Sequence, residues 1–452
     1  MTTAPSTTQL DFVSFSDLVN WSVRYLRENR SRYKTTFALV RIGDFLKRNR
    51  HIIEIQDDEL YTRVTIRLYT KGVLKRDEEW GHNIGTKRQF IVSPGQFIMS
   101  KIDARNGAFG LVPPELDGAA TTADFLSYNV DTSRINPAFL TLVSSTKEFL
   151  TICQSSSSGT TGRQRVDETQ FLNIKIPLPS LTEQDRIVAA YNARIAEADR
   201  LAEQAEVDRK NGRGGFLREL GILEELSSKI KNNSLQFLRF SDLEEWGVDS
   251  PKARLQRLFK SSKFKTLKIS DLCKIGSGGT PSRGKRAYYE GQVPWIKTGE
   301  IREQVIYDTE EKISDTALEE SSARVYPINS LIVAMYGATA GRSAKLGIAA
   351  STNQACAILY DINTSLVNID FLWTYLKTQI ESLKSLATGS AQPNLNSIKI
   401  SNFLIPIPSL EIQEKLIGEY TAHFEEAATL NKLAQNQRQQ AIEDIENELF
   451  AS

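Results

Sequence analysis

Apolar positions along this chain follow two patterns. After residue 180 they recur every three or four places, at Ile187, Tyr191, Ile195, Ala198, Leu201 and Ala205. After residue 409 the same spacing returns at Leu416, Tyr420, Phe424, Ala427, Leu430 and Ala434, each 229 positions beyond its counterpart. This spacing predicts two long helices with a narrow coiled-coil seam, not the broad stripe of an ordinary surface helix. The second is predicted to run on through Ile442, Ile445 and Leu449. At ~1.5 Å per residue, a helix of about thirty residues is a rod of about 45 Å. Ser180 and Glu183 have the spacing of a capping box at the start of the first helix. Two seams in one chain, each following a globular block, are predicted to pack on each other. Within the blocks, "RVTIRLY" (63–69) alternates as a half-buried strand, with Val64, Ile66 and Leu68 inward and a basic face of Arg63 and Arg67 outward. "QFIVSPGQFIMSKI" (89–102) reads as strand, Ser-Pro-Gly turn, strand, and "SLIVAMYG" (330–337) and "ACAILY" (355–360) read as buried strands. The fold class is therefore mixed α/β (α+β).

The helices are part of a larger duplication. "IPLPSLTEQ" (176–184) returns as "IPIPSLEIQ" (405–413), just before each seam. "FVSFSDLVNWSV" (12–23) pairs with "FLRFSDLEEWGV" (237–248), "RIGDFL" (41–46) with "KISDLC" (268–273), and "NPAFL" (136–140) with "NIDFL" (368–372). Residues 47–92 and 274–325 share almost nothing. A repeated frame with dissimilar inserts is expected of two copies that hold one pose and contact different things.

Composition narrows the class. Hydrophobic content of 40% and charged content of 25% are those of an ordinary globular chain, long enough for two or three cores. No apolar run approaches a membrane span, and the N-terminus lacks a signal-peptide pattern. Cys153, Cys273 and Cys356 are scattered, and the three histidines have no metal-ligand spacing. Structural disulfides and zinc are not expected, and a reducing cytoplasm fits. Residues 1–178 and 235–404 each carry a net charge of +4, against −1 for 179–234 and −6 for 405–452. Basic blocks thus alternate with neutral and acidic ones, which points to local rather than indiscriminate polyanion contact.

Catalytic motifs are missing. "GTPSRGKR" (279–286) fits G-x-x-x-x-G-K, but Arg286 stands where a P-loop needs Ser or Thr, and Gly291 and Pro294 forbid the long helix that would hold a phosphate. There is no G-x-S-x-G elbow and no Asn/Asp-Pro-Pro-aromatic tetrapeptide of an amino-methyltransferase. Chemistry suited to DNA is present. Nine basic residues lie between 20 and 50, and Lys87, Arg88, Lys101 and Arg105 flank the Ser-Pro-Gly turn. Thr280, Ser282, Arg283, Lys285, Lys297 and Arg342 supply hydroxyls and cations in the second block. Gln164, Arg165, Gln392 and Asn394 sit in the loops before each helix. Lys and Arg position a protein on phosphates, and Arg, Asn and Gln read base edges.

These motifs resemble the specificity subunits of type I restriction–modification enzymes. The carrying residues are "SGGTPSR" with "VPWIKTGEI" (277–283, 293–301), "GSAQPNLNSIKISNFLIPIPSLEIQEKL" (389–416), its repeat "RVDETQFLNIKIPLPSLTEQDRI" (165–187), and "TKRQFIVSPGQFIMSKIDARNGAFGLVP" (86–113). The resemblance implies two target recognition domains, at 1–178 and 235–404, each followed by a spacer-helix segment, at 179–234 and 405–452. It implies a non-catalytic chain on double-stranded DNA, with two methyltransferase subunits and restriction subunits as partners. S-adenosylmethionine, ATP and magnesium would belong to those partners, with no cofactor in this chain. Each domain would read half of an asymmetric bipartite site, and antiparallel helices would fix the spacing. Two heads reach one face of DNA when about one helical turn apart, ~34–36 Å, which a 45 Å rod can span. The residues alone leave open a two-headed subunit serving another restriction class, or a coiled-coil scaffold without sequence-specific contact. The loops "SSSSGTTGRQRV" and "ATGSAQPNL" differ, so a role inferred for one does not transfer to the other.

Overall fold

The structure is a computed structural model that describes residues 36–68, 70–155, 157–158, 165–222, 262–386 and 395–450. The paired segments 12–23 and 237–248 lie outside these residues, as do Arg24, Arg27, Arg30, Arg32 and Lys34. The chain forms two compact units, Met1–Leu201 with Lys432–Ser452, and Ala202–Asn431.

In the first unit, Ala38–Arg41 pairs antiparallel with Lys175–Leu178, so the "IPLP" strand is held by the segment that opens the block. A four-stranded sheet runs in the order Leu46–Arg48, Phe125–Val130, Phe97–Ser100, Phe109–Leu111. A five-stranded sheet runs Ile52–Glu54, Arg88–Ile91, Ala120–Thr121, Leu60–Ile66, Val73–Trp80. The two strands around the Ser-Pro-Gly turn therefore do not form a hairpin with each other: Arg88–Ile91 joins one sheet and Phe97–Ser100 the other. The core packs the Phe97, Phe109, Phe171 and Tyr128 rings face to face or edge-on with Phe149. The predicted strand at 63–69 lies at Leu60–Ile66 instead. Val64 and Ile66 are buried, but Leu68 lies past the strand end and is exposed.

The second unit repeats the frame. Thr266–Lys268 pairs with Leu404–Pro406. A five-stranded sheet runs Lys274–Ser277, Cys356–Tyr360, Leu331–Ala334, Ser343–Leu346, Val305–Ile306, and a three-stranded one runs Glu311–Ile313, Val293–Ile296, Ser351–Thr352. The strands expected within 330–337 and 355–360 form at Leu331–Ala334 and Cys356–Tyr360, and they are adjacent and buried up to Leu359.

The long helices are Leu181–Glu219 and Leu410–Leu449. In the first unit the start of the first lies along the end of the second. Arg186 pairs with Glu448, Arg194 with Asp444 at 2.7 Å, and Asp199 with Arg438 at 2.5 Å. One series rises as the other falls, so the helices are antiparallel. In the second unit the end of the first lies along the start of the second, with Phe216 against Tyr420, ring centroids 5.7 Å apart. Ile187, Leu416 and Tyr420 of the expected seam are buried, while Tyr191, Ile195, Leu201, Phe424 and Leu430 are half-covered. Small residues take the most enclosed positions: Ala198, Ala205, Ala427, Ala434 and Ala441 are each at most 1% exposed. Ala441 rather than Ile442 continues the seam, and Ile442 is 39% exposed. Only half of the capping box forms. The Ser180 hydroxyl accepts from Glu183 N–H, but the Glu183 carboxylate turns to Arg186, at 2.8 and 3.0 Å.

Gly212 tests how close the helices approach. A Cβ there would lie 2.8 Å from His423 Cβ, whereas at Gly215 it would meet nothing within 4 Å. Gly212→Leu should therefore destabilise the protein by about 3 kcal/mol through overpacking. Gly215→Ala should stabilise it by up to about 1 kcal/mol through helix propensity. Denaturant titration of both variants measures the difference, and similar midpoints would mean that the helices are not closely packed.

Candidate nucleic-acid interface

The "IPxPSLxxQ" repeat ends in a buried clasp. Gln184 is fully buried, its side-chain oxygen accepts from Asn136 N–H at 2.7 Å, and its amide donates to the Arg134 and Pro179 carbonyls at 3.2 and 2.9 Å. Gln413 makes the same three bonds, to Asn368 N–H at 2.7 Å and to the Leu366 and Pro408 carbonyls at 3.0 and 2.9 Å. Asn136 and Asn368 in turn cap the helices Pro137–Ser145 and Ile369–Thr378. Sequence reasoning recognised the repeated motif and missed what its glutamine does; the signal was the identity of the last letter in both copies.

From this frame each unit projects a hairpin. In the first it joins Phe97–Ser100 to Phe109–Leu111 and turns at Gly107, whose φ of +74° suits glycine. In the second it joins Leu331–Ala334 to Ser343–Leu346 and turns at Gly341, with φ +80°. The segment preceding the "IPxP" strand is anchored to the hairpin loop in both: Val166 N–H donates to the Lys101 carbonyl at 2.9 Å, and Leu395 N–H to the Met335 carbonyl at 3.1 Å. The hairpin equivalence was not recognised in sequence because its residue types are almost all different.

The hairpin gathers Lys101 and Arg165. Lys101 is half-buried and has no carboxylate partner among the described residues, while Arg165 is exposed and 3.2 Å from Asp124. The Arg105 side chain and Gln164 lie outside the described residues. Other expected cations of this unit are elsewhere. Arg63 forks onto Asp77 at 2.6 and 2.8 Å, holding that carboxyl below the usual range, so this cation of the expected basic face is already neutralised. Lys87 is bound to Asp57 at 2.5 Å and to the Gly81 carbonyl at 2.7 Å. Arg67 and Arg88 are exposed, with no ion pair among the described residues. Arg41 pairs with Asp44, and Arg48 lies over Phe90 and Tyr128.

In the second unit Arg342 is exposed on the hairpin, with no carboxylate partner among the described residues. Gln392 and Asn394 lie outside them. The "SGGTPSR" glycines are packing devices: a Cβ on Gly278 or Gly279 would lie 1.8 Å from the Asn353 carbonyl oxygen or 2.3 Å from Ala323 N. The buried Trp295 indole donates to the Gly279 carbonyl at 3.0 Å, and Thr280 Oγ1 accepts from Gln354 N–H at 3.4 Å. Arg286–Tyr289 forms one short 3-10 turn, so no helix N-terminus follows the false P-loop. Ser282 is exposed.

The cations of this motif are all engaged. Arg283 donates to Glu311 at 2.6 Å and lies over the Tyr289 and Trp295 rings at 4.2 and 5.1 Å. Lys297 donates to Glu310 at 2.8 Å and Glu311 at 3.1 Å. Lys285 donates to Glu320 at 2.7 Å and to the Tyr288 hydroxyl at 2.6 Å. These bonds hold the Glu310, Glu311 and Glu320 carboxyls below their ordinary range. Sequence reasoning did not single out these three glutamates.

Burial pushes the Cys273 and Cys356 thiols up to about 12, so neither is a thiolate at neutral pH. Among the described residues, no group of His, Cys, Asp or Glu could hold a metal ion, and no helix is long and apolar enough to cross a membrane.

Two mixed α/β units thus repeat one backbone frame, each with a hairpin anchored to the segment before its "IPxP" strand. A family model described as type I restriction modification DNA specificity domain matches residues 35–204 and again 261–441. The chain belongs to this family of type I restriction–modification specificity subunits and carries two copies of its domain. It is 25% identical over 399 residues to the type I restriction enzyme HindI specificity subunit of Haemophilus influenzae, covering 78% of this chain and 85% of that one. It is 29% identical over 186 residues to the MjaIX specificity subunit of Methanocaldococcus jannaschii, covering 40% and 42%. A solved structure titled for complex assembly and conformational transition of the type I R-M system shares the fold, with TM-score 0.55 and 17% identity, over 91% of this chain and 98% of that one.

Proposed function

We propose that each unit of this specificity subunit reads one half of an asymmetric, bipartite site in double-stranded DNA, through its hairpin and the loop anchored to it. The carrying observation is that one backbone frame recurs in both units while the residues it presents differ, Lys101 and Arg165 in one and Arg342 in the other. The same frame gives the same pose, and different side chains give different half-sites. The chain is not itself catalytic in this reading. Two methyltransferase subunits and the restriction subunits carry out the chemistry, with S-adenosylmethionine, ATP and magnesium on those partners. The length of the paired helices sets the spacer. Cys153, Cys273 and Cys356 are thiols outside any disulfide, which suits a reducing cytoplasm.

The test is base-modification sequencing of DNA from cells expressing the chain with its methyltransferase partner, against cells lacking only this chain. A methylated motif in two unequal parts, present only with the chain, is expected. Identical methylomes from cells in which the complex forms would favour a scaffold without sequence reading. Arg342→Ala should relax one position in one half of the motif, at ~1–3 kcal/mol of lost discrimination, and leave the other half intact. Lys101→Ala should weaken binding across sequences and lower the salt slope by about 1, as loss of a phosphate contact does. Methylome sequencing and salt titration distinguish these outcomes.

A further inference from the structure

In the second unit, carboxylates accompany the cations on the surface around "SGGTPSR". Arg283, Lys285 and Lys297, which the motif offers to DNA, are each bonded to a glutamate that the intervening chain brings back: Glu311, Glu320, and Glu310 with Glu311. Arg286 is bonded to Glu290 at 2.9 Å. These are surface pairs. Arg283 and Lys285 keep more than half of their side-chain exposure, so their partners can be exchanged without unfolding anything. The hairpins differ, because Lys101 and Arg342 have no carboxylate partner among the described residues.

We propose that Glu310, Glu311 and Glu320 are specificity-determining residues that occupy the second unit's cations until a correctly placed phosphate displaces them. This inference rests on the DNA-reading function above. A free Lys or Arg at a DNA-facing surface binds any phosphate, and that sequence-independent attraction supplies essentially all non-specific binding. A cation already bonded to a carboxylate gains little from a random phosphate, because one ion pair is exchanged for another and fewer counterions leave the DNA. At the cognate site the hairpin and loop contacts hold the duplex in register, and the exchange is driven by them. The glutamates thereby lower affinity for non-cognate DNA more than for the cognate site. The Tyr289 and Trp295 rings beneath Arg283 keep its guanidinium in place when the carboxylate leaves.

The experiment uses the full chain in complex with its methyltransferase partner and measures binding to a short mixed-sequence duplex and to the cognate duplex over a range of salt. Glu311→Gln with Glu320→Gln keeps side-chain size and uncharged hydrogen bonds while freeing Arg283 and Lys285. Non-specific affinity should rise about tenfold at low salt, with a log–log salt slope steeper by up to ~1.8, since each added phosphate contact contributes ~0.9. Cognate affinity should rise less, so the specificity ratio falls. Arg283→Gln separates this from a general change in net charge. It should cost less non-specific affinity in the parent than in the glutamine double variant, where it reverses much of the gain. Equal losses in both backgrounds, or no gain in the double variant, would overturn the inference while parental sequence-selective binding leaves the reading function standing. A parent complex that binds both duplexes alike would overturn the reading function and this inference with it.

Discussion

Gln413→Ala should destabilise the second unit by about 3 kcal/mol, although it removes only an uncharged side chain near a helix start. The Gln413 amide is fully buried and satisfies three backbone groups from two loops. Alanine leaves the Asn368 N–H and the Leu366 and Pro408 carbonyls without that partner, and an unsatisfied buried group costs ~1–3 kcal/mol. Gln413→Glu is the informative control. It retains the acceptor for Asn368 N–H but places a carboxylate oxygen against two carbonyls, so it should cost at least as much as alanine. For a unit of this size, 3 kcal/mol corresponds to a fall of ~6–12 °C in Tm. Gln184→Ala should do the same to the first unit. Thermal unfolding of both single variants checks this, and a loss below ~1 kcal/mol at both sites would show that the repeated glutamine is not a structural clasp.

The second large effect is placed at the far end of the chain. Ile445 and Leu449 close the second helix and Phe450 follows it, yet all three are buried in the core of the first unit with Phe139, Phe149 and Phe171. Leu449→Ala should cost ~2–5 kcal/mol, the range for a buried leucine whose cavity does not collapse. Ending the chain after Asp444 removes all three side chains, and at ~1.5–3 kcal/mol for each buried side chain the loss should exceed about 5 kcal/mol. That is comparable to the whole stability of a typical domain. Limited proteolysis provides the readout. Cleavage should begin within 36–178, more than 260 residues before the truncation in sequence, while 262–404 stays protected. A truncated chain whose first unit resists protease as the parent does would refute this placement.

Local pattern made much of the architecture legible. The seam spacing anticipated both helices, and the strands at 331–334 and 356–360 showed as apolar runs between turn residues. The duplication was legible as letters. Ile42 and Ile269 of the paired "RIGDFL" and "KISDLC" segments are both buried, and their N–H groups donate to the equivalent Ile174 and Phe403 carbonyls. Expectations failed where a partner is far away in sequence. "QFIVSPGQFIMS" looks like a hairpin because its turn is local, but which strand each half joins depends on distant strands at 52–54, 120–121 and 125–130. Ile442 fitted the apolar spacing, but the turn of the helix encloses Ala441 and leaves Ile442 exposed.

For the candidate interface, the sequence by itself determined which residue types are available: a polar loop before each long helix and a set of cations in each block. It could do so because residue type and short-range spacing are written in the chain. Only the tertiary structure decided which cations remain free. Arg63, Lys87, Arg283, Lys285 and Lys297 have the chemistry of phosphate contacts, but each meets a carboxylate between 13 and 35 residues away. Lys101 and Arg342 escape that pairing on the hairpins, among the described residues. Charge is a property of a residue, whereas its neutralisation depends on a distance between two residues, and that distance exists only once the chain has folded.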